Sequence, residues 1–248
     1  MLVLGGFVAA SIGNRALRHA PHARARPAGD TIELPSGQFR GEVHQTVASS
    51  ARRQSMPPEE LRRRVDNLKS GSYIDDIILA QDSSLYRWPE RSAGAVNVYV
   101  EPWSQAAAWT PTYVELARAA FADWSDAGFP LRFQFILDST AADIRVRWRE
   151  RFPPEDGQRI GVTERLHTSE FWIASAGIDI ANHDSTGRLI PARMVAGTLR
   201  HEIGHALGLN HADDATSVMY RESAATTISP SDRATLRLLY LVPPGSLR

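Results

Sequence analysis

The eleven residues HEIGHALGLNH, at positions 201–211, constrain the fold and chemistry of this chain more than any other stretch. His201 and His205 are four residues apart, so on an α-helix they project from one face and can reach the same ion. Gly208 predicts the end of that helix in a left-handed turn, after which the chain can return with His211. Three imidazole nitrogens leave one tetrahedral position open, which is typical of a catalytic rather than a structural zinc site.

Glu202 directly follows the first of these histidines and lies beside the expected metal rather than on it. A carboxylate there can accept a proton from a water molecule that the metal activates. The alternative is a helix whose histidines hold no ligand, but this extended spacing is rare by chance. We therefore predict a Zn²⁺ site held by His201, His205 and His211. The chain has no cysteine, so thiolate ligands, disulfides and cysteine nucleophiles are excluded.

The N-terminal third of the chain differs from the rest. Residues 1–20 contain an apolar run too short to span a bilayer, which favours a signal-like or membrane-anchor segment. Residues 21–92 are predicted to be a linker and candidate pro-segment, including a short polar helix in 56–71 that packs on another part of the chain. We therefore expect a secreted or cell-envelope protein, with membrane anchoring through the N-terminal segment as one form of that localisation.

Residues 93–248 have the mixed pattern of one α+β domain. Alternating apolar residues predict strands in 95–102, 131–137 and 142–150, and one strand or a pair of strands in 171–181. Helical periodicity predicts two long helices, 110–128 and 192–208, and a C-terminal helix over 229–242 that Ser229 caps. The stretch between 150 and 171 is rich in Pro, Gly and charge and is predicted to be a loop.

Three stretches make the chain similar to the metzincin clan of zinc endopeptidases, and within it to the matrixins and their bacterial relatives. They are the three-histidine motif, SVMY, and ISPSDRATLRLLY. Met219 lies eight residues after His211, as the Met-turn methionine of that family does. The resemblance covers residues 93 to 243 and implies a zincin fold: a twisted mixed β-sheet with two long helices plus a C-terminal helix. It also implies that Met219 is an apolar floor beneath the metal.

The chain departs from the matrixin pattern at several positions. Ala212 stands where Ser or Thr usually follows the third zinc histidine, and Arg221 stands where Pro often follows the Met-Tyr pair. Of the two adjacent acidic residues at the start of the family's final helix, only Asp232 is present here, and Ser231 precedes it. These departures leave the subfamily open and do not affect the predicted zinc ligands.

Two further features of matrixins have only loose counterparts here. The family's structural zinc and calcium loops are not recognisable, and a second metal site would have to use His167, His183 or Asp184, against the alternative of solvated loop side chains. Many matrixins are kept latent by a propeptide cysteine, which this chain lacks. Some bacterial relatives use an aspartate instead. Asp75 or Asp76 is the candidate, and the alternative is that the pair faces solvent on a short helix.

The sequence thus predicts a zinc-dependent endopeptidase that cleaves proteins or peptides with a metal-activated water and Glu202 as general base. The edge strand above the zinc binds the peptide in this family by strand addition, and residues 177–181 are the positional candidate. A catalytically inactive zinc-containing protein that binds a peptide or partner is the alternative, and a zinc hydrolase of non-peptide substrates is a third candidate. Retention of Glu202 favours an enzyme. Balanced charge and the lack of nucleic-acid motifs predict no nucleic-acid partner, and we expect a monomer.

Overall fold

The computed structural model of the protein describes residues 43–47, 56–90, 95–222 and 225–248, with the backbone alone described in residues 43–47. The predicted signal-like segment, residues 1–20, and much of the predicted linker lie outside these ranges. The division into residues 1–20, 21–92 and 93–248 therefore stays a prediction. Within the described ranges, no helix combines the length and the apolar character that crossing a membrane requires.

The strands of the described residues form two β-sheets. They are Val43–Val47 (β1), Ser84–Leu85 (β2), Val96–Val100 (β3), Phe133–Phe135 (β4), Ile144–Arg149 (β5), Gly161–Thr168 (β6), Ile173–Ala181 (β7) and Gly245–Ser246 (β8). Six of them form a sheet in the order β1-β6-β7-β5-β3-β4, in which β6 and β7 are antiparallel and the other neighbours are parallel. β2 and β8 pair antiparallel in a second sheet.

Five α-helices lie within the described ranges. They are Pro58–Leu68 (α1), Ile74–Ala80 (α2), Thr112–Ser125 (α3), Ala192–Ala206 (α4) and Pro230–Leu241 (α5). α4 packs against α3 and lies on β6 and β7, so it is buried along most of its length. Ser229 caps α5 as predicted, because its hydroxyl accepts from the backbone N–H of Asp232. The predicted α+β architecture of a mixed sheet, two long helices and a C-terminal helix is confirmed.

One strand lies where the sequence predicted a loop. β6 occupies residues that carry few apolar side chains, and the prediction of a loop between 150 and 171 was wrong for this part. The buried face of β6 presents Gly161, Thr163, Arg165 and His167. Apolar alternation, the usual signal of a half-buried strand, is therefore absent. Backbone pairing with β7 and polar contacts to α4 stabilise this strand instead.

The predicted edge strand was also wrong. Residues 177–181 belong to β7, which pairs with β5 on one side and with β6 on the other. A strand paired on both sides offers no free main-chain groups for strand addition. β6 lies nearer the edge, and its residues 164–168 pair with β1. Among the described strands, residues 161–163 pair with β7 alone.

Residues 56–90 pack on the rest of the described chain, as the sequence predicted for fragments too small to form a core. Leu61, Ile74 and Trp88 are fully buried in the same apolar cluster as Leu199 and Leu239, which belong to α4 and α5. The segment therefore shares one core with α4 and α5.

Candidate metal centre

Helix α4 and the turn after it bring the three predicted metal ligands together. The Nε2 atoms of His201 and His205 lie 3.0 Å apart, and both rings are buried. The ring centroid of His211 lies 5.3 Å from that of His201 and 4.8 Å from that of His205. One nitrogen of each ring can be chosen so that all three lie within 4.8 Å of one another. Because a zinc–imidazole bond is about 2.0–2.1 Å long, the Nε2 atoms of His201 and His205 are close enough to share one ion, and the His211 ring lies beside them.

Backbone carbonyl groups fix two of these rings in the orientation that metal binding requires. Nδ1 of His201 lies 2.7 Å from the carbonyl oxygen of Val218, and Nδ1 of His205 lies 3.1 Å from that of Leu209. Since a carbonyl oxygen only accepts, each Nδ1 donates its proton and Nε2 presents a lone pair. Burial lowers the pKa of His201 to about 4. It also lowers the pKa values of His205 and His211 well below their usual range, so all three rings are neutral at pH 7.

Gly208 makes the turn that returns the chain to the metal site, as its place in the motif predicted. Its φ of +107° lies in the left-handed region, where a side chain is strained. A Cβ atom at this position would also overlap the backbone carbonyl oxygen of Tyr86. Both constraints require glycine, and the turn they permit places His211 beside the two helical histidines.

Met219 is buried against helix α4, and its place beneath a metal stays an expectation from the resemblance. It is fully buried, and its sulfur occupies the space that a Cβ atom on Gly204 of α4 would need. The carbonyl group of Met219 accepts from the backbone N–H of Ala212, at 3.0 Å. The carboxylate of Asp232 accepts from the backbone N–H of Val218, at 3.0 Å, and ties this turn to α5. The same turn supplies the carbonyl oxygen that orients His201.

Glu202 is buried between α4 and β6. Only 2% of it is exposed, and its Oε2 lies 2.7 Å from the hydroxyl of Thr163. A Cβ atom on Gly161 would come within 2.6 Å of Oε1, so the close approach of β6 requires glycine there. Burial raises the pKa of Glu202 to about 8, while the Thr163 hydroxyl acts in the opposite direction. A carboxyl group with a pKa near neutrality is well matched to proton transfer in both directions.

Thr163→Val tests whether this hydroxyl group orients Glu202. Valine has nearly the same shape but cannot donate, and a hydrogen bond to a charged group contributes about 1.5–3 kcal/mol. If the chain cleaves peptides with zinc as its sequence predicts, we expect kcat to fall roughly 10–100-fold, with KM and zinc affinity unchanged, and Thr163→Ser to restore it. Thr198→Val is the matched control, because the buried hydroxyl of Thr198 donates to the carbonyl of Met194 instead. An unchanged kcat in Thr163→Val would contradict the assignment.

Sequence analysis alone missed Thr163 and Gly161. Both lie on β6, and the strand escaped detection because its buried side chains are polar. The one available signal was the β-branched pair at positions 162 and 163 directly after a glycine, which is too weak to place a strand or to link it to Glu202.

The candidates for a second metal site do not come together in the described residues. The ring of His167 lies 4.3 Å from that of Tyr86, Nδ1 of His183 contacts the Asn182 side chain, and Asp184 accepts from its own loop. Within the described ranges, the three motif histidines form the single group of three or more potential ligands.

The candidate switch residues Asp75 and Asp76 lie on the short helix α2 and outside the group of three histidines. Asp75 is exposed and forms an ion pair with Lys69, whose Nζ lies 3.0 Å away. Asp76 is half-buried and accepts from the backbone N–H of Asp213, at 3.3 Å. The alternative that the sequence left open, in which the pair lies at the surface, fits Asp75 better than Asp76.

Comparison with known proteins gives a consistent picture. A family model described as Matrixin matches residues 95–241, more than half of the chain. The chain is 31% identical over 112 residues to karilysin of Tannerella forsythia, covering 42% of this chain and 23% of that protein. It is 29% identical over 123 residues to metalloendoproteinase 1-MMP of Arabidopsis thaliana, covering 42% of this chain and 30% of that protein. The matched stretch thus spans less than a third of each relative.

Proposed function

Because the chain belongs to the matrixin family, we propose that it is a zinc-dependent endopeptidase. The observation that carries the proposal is the convergence of three histidine nitrogens next to a buried carboxyl group that accepts a hydrogen bond from Thr163. His201, His205 and His211 would hold the zinc, and Glu202 would act as the general base. Three nitrogen ligands fit zinc, and they leave a coordination position for the reaction.

Zinc bound by these residues would supply a Lewis acid that polarises the peptide carbonyl group and lowers the pKa of water. The protein's own contribution is the handling of protons. Glu202 takes a proton from the attacking water and passes it to the nitrogen of the leaving amine, so that it ends the cycle as it began. Thr163 donates a hydrogen bond to one oxygen of the Glu202 carboxylate, and burial between α4 and β6 keeps bulk water away from this carboxylate.

Residues 161–163 are our candidate for the main-chain groups that bind the peptide. This part of β6 contacts Glu202 directly, and its outer edge is not paired with any described strand. A peptide that adds to this edge as a further strand would run past Glu202. Val43–Val47 pairs with the next part of the same edge, so the length available to a substrate depends on this segment.

The proposed endopeptidase is tested by incubating the protein with a random peptide library, with and without a zinc chelator. We expect internal cleavage that the chelator abolishes and that added Zn²⁺ restores. Zinc binding without cleavage would favour the inactive binding protein instead. Absence of peptide cleavage together with hydrolysis of small esters or amides would favour a zinc hydrolase of non-peptide substrates.

The location of the protein outside the cytoplasm, in the medium or the cell envelope, stays part of the proposal and is tested by cell fractionation.

A further inference from the structure

We propose that residues 56–90 are a permanent part of the metal-binding domain, and that Trp88 in this segment is a positioning residue for the end of helix α4. The inference rests on the proposed zinc site. The family match begins at residue 95, and the sequence-based boundary lies at 93, so both place this segment outside the domain. Its contacts place it inside.

The C-terminal end of α4 lies between the second and third proposed ligands. The last carbonyl groups of a helix have no partner within it and need donors from elsewhere. Three successive carbonyl groups here accept from buried side chains: His205 O from Arg165 Nη1 at 2.9 Å, Ala206 O from Trp88 Nε1 at 2.8 Å and Leu207 O from Tyr240 Oη at 3.0 Å. We call Trp88, Arg165 and Tyr240 the cap cluster. It fixes the helix end at the point where the chain turns back with the third histidine.

Within the cap cluster, Trp88 comes from the segment before the family match. The neighbouring residues of that segment close on the same turn. The carbonyl oxygen of Tyr86 would overlap a Cβ atom on Gly208, so the segment contacts the turn at Gly208 directly. The guanidinium group of Arg87 lies 5.0 Å from the ring of Trp172, and its Nε donates to the carbonyl of Val242 at 2.9 Å. Residues 86–88 thus connect the end of α4 to the chain after α5.

The rest of residues 56–90 is attached as firmly. Leu61 and Ile74 are fully buried in the main core, and the backbone N–H of Tyr73 donates to Oγ1 of Thr235 on α5, at 3.0 Å. Strand β2 pairs with β8, near the C-terminus. A pro-segment that is removed must leave a folded enzyme, yet loss of these side chains would expose a large apolar surface. Any activating cleavage therefore occurs before residue 56.

The functional consequence concerns metal affinity. Groups that are not ligands themselves but hold the metal ligands in position typically change metal affinity 10–100-fold when they are removed. Trp88 acts on the ligands through Ala206, which lies between His205 and the turn at Gly208. If its indole N–H is lost, the helix end is less well fixed and the three nitrogens are less well preorganised.

The first test is Trp88→Phe in the full chain, which keeps an aromatic ring but removes the N–H donor. We expect zinc affinity, measured by competition with a chromogenic chelator, to fall about 10–100-fold, and cleavage to recover at saturating zinc. Trp124→Phe is the matched control, because the fully buried Trp124 donates to the Arg200 carbonyl of the same helix at 2.8 Å. That carbonyl lies inside α4, so we expect lower thermal stability with unchanged zinc affinity. Equal zinc affinities in the two variants would overturn the role of Trp88.

The second test is limited proteolysis of the full chain with mass spectrometry of the resistant core. We expect the core to begin before residue 57 and to retain Trp88. A folded core that begins near residue 91 and still binds zinc would overturn the proposal. This measurement decides the inference even when Trp88→Phe fails to fold. It also separates the inference from the proposed function, because it needs no peptide cleavage.

Discussion

Glu202→Gln is expected to lower kcat for peptide cleavage by several orders of magnitude while leaving zinc affinity within a few fold. Glutamine keeps the shape of the side chain and can still accept from Thr163, but it cannot take the proton of the attacking water. Glu150→Gln is the matched control, since Glu150 is exposed at the end of β5 and should retain full activity. Substantial turnover by Glu202→Gln, after repurification to exclude wild-type contamination, would refute Glu202 as the general base.

The same variant should make the metal-free protein more stable at high pH. The pKa of Glu202 is raised from 4.5 to about 8 in the folded chain, so ionisation favours the unfolded state as the pH rises between these values. Replacement by neutral glutamine removes that cost, which is on the order of a few kcal/mol at pH 8. Chemical unfolding at pH 4 and pH 8 measures the difference between variant and wild type. We expect a gain at pH 8 and little difference at pH 4.

The histidines titrate in the opposite direction, and the comparison cancels their effect. The pKa of His201 is lowered from 6.5 to about 4, so its contribution to stability is complete above pH 6.5 and is lost as the pH falls towards 4. Because this loss occurs equally in Glu202→Gln and in the wild type, the difference between their unfolding free energies isolates the carboxyl group. A larger gain at pH 4 than at pH 8 would contradict the raised pKa of Glu202 in the metal-free protein.

Zinc binding is expected to stabilise the fold strongly, which is the second large effect. A ligand that binds only the folded state adds about 4 kcal/mol to the free energy of unfolding at a thousandfold excess over its Kd. We therefore expect the melting temperature to rise markedly with Zn²⁺ and to return to its starting value when a chelator is added. Differential scanning calorimetry of the metal-free protein, titrated with Zn²⁺, measures the effect.

His205→Gln should abolish the rise in melting temperature with Zn²⁺, because it removes one of the three proposed zinc ligands. His183→Gln is the control, since His183 contacts Asn182 and lies outside the group of three histidines. If His205→Gln were stabilised by zinc as much as the wild type, the ion would be bound elsewhere and the proposed site would be wrong.

The grouping of the three histidines could be predicted from the sequence because it is encoded locally. Helical geometry alone places His201 and His205 on one face, and a glycine at 208 specifies the turn that brings His211 back. The strands with apolar alternation, the two long helices and the C-terminal helix were predicted for the same reason, since each pattern lies within one element.

The surroundings of the site depend on contacts between distant parts of the chain. Thr163 lies 39 residues before Glu202 in sequence, and Trp88 lies 118 residues before Ala206. No local pattern encodes such pairs, because they form only when the sheet, α4 and residues 56–90 share one core. The missed strand β6 illustrates the same limit. Its buried side chains are polar and form hydrogen bonds with α4, so hydrophobic periodicity cannot detect the strand.

The sequence by itself therefore determined which atoms can hold a metal and which carboxyl group lies next to them. Fixed bond geometry and helical repeat translate a spacing of residues directly into a spacing of side chains. Only the tertiary structure decided the raised pKa of that carboxyl group, the strand edge beside it and the residues that cap the end of α4. Each of these follows from burial and from long-range hydrogen bonds, which depend on how the whole chain packs.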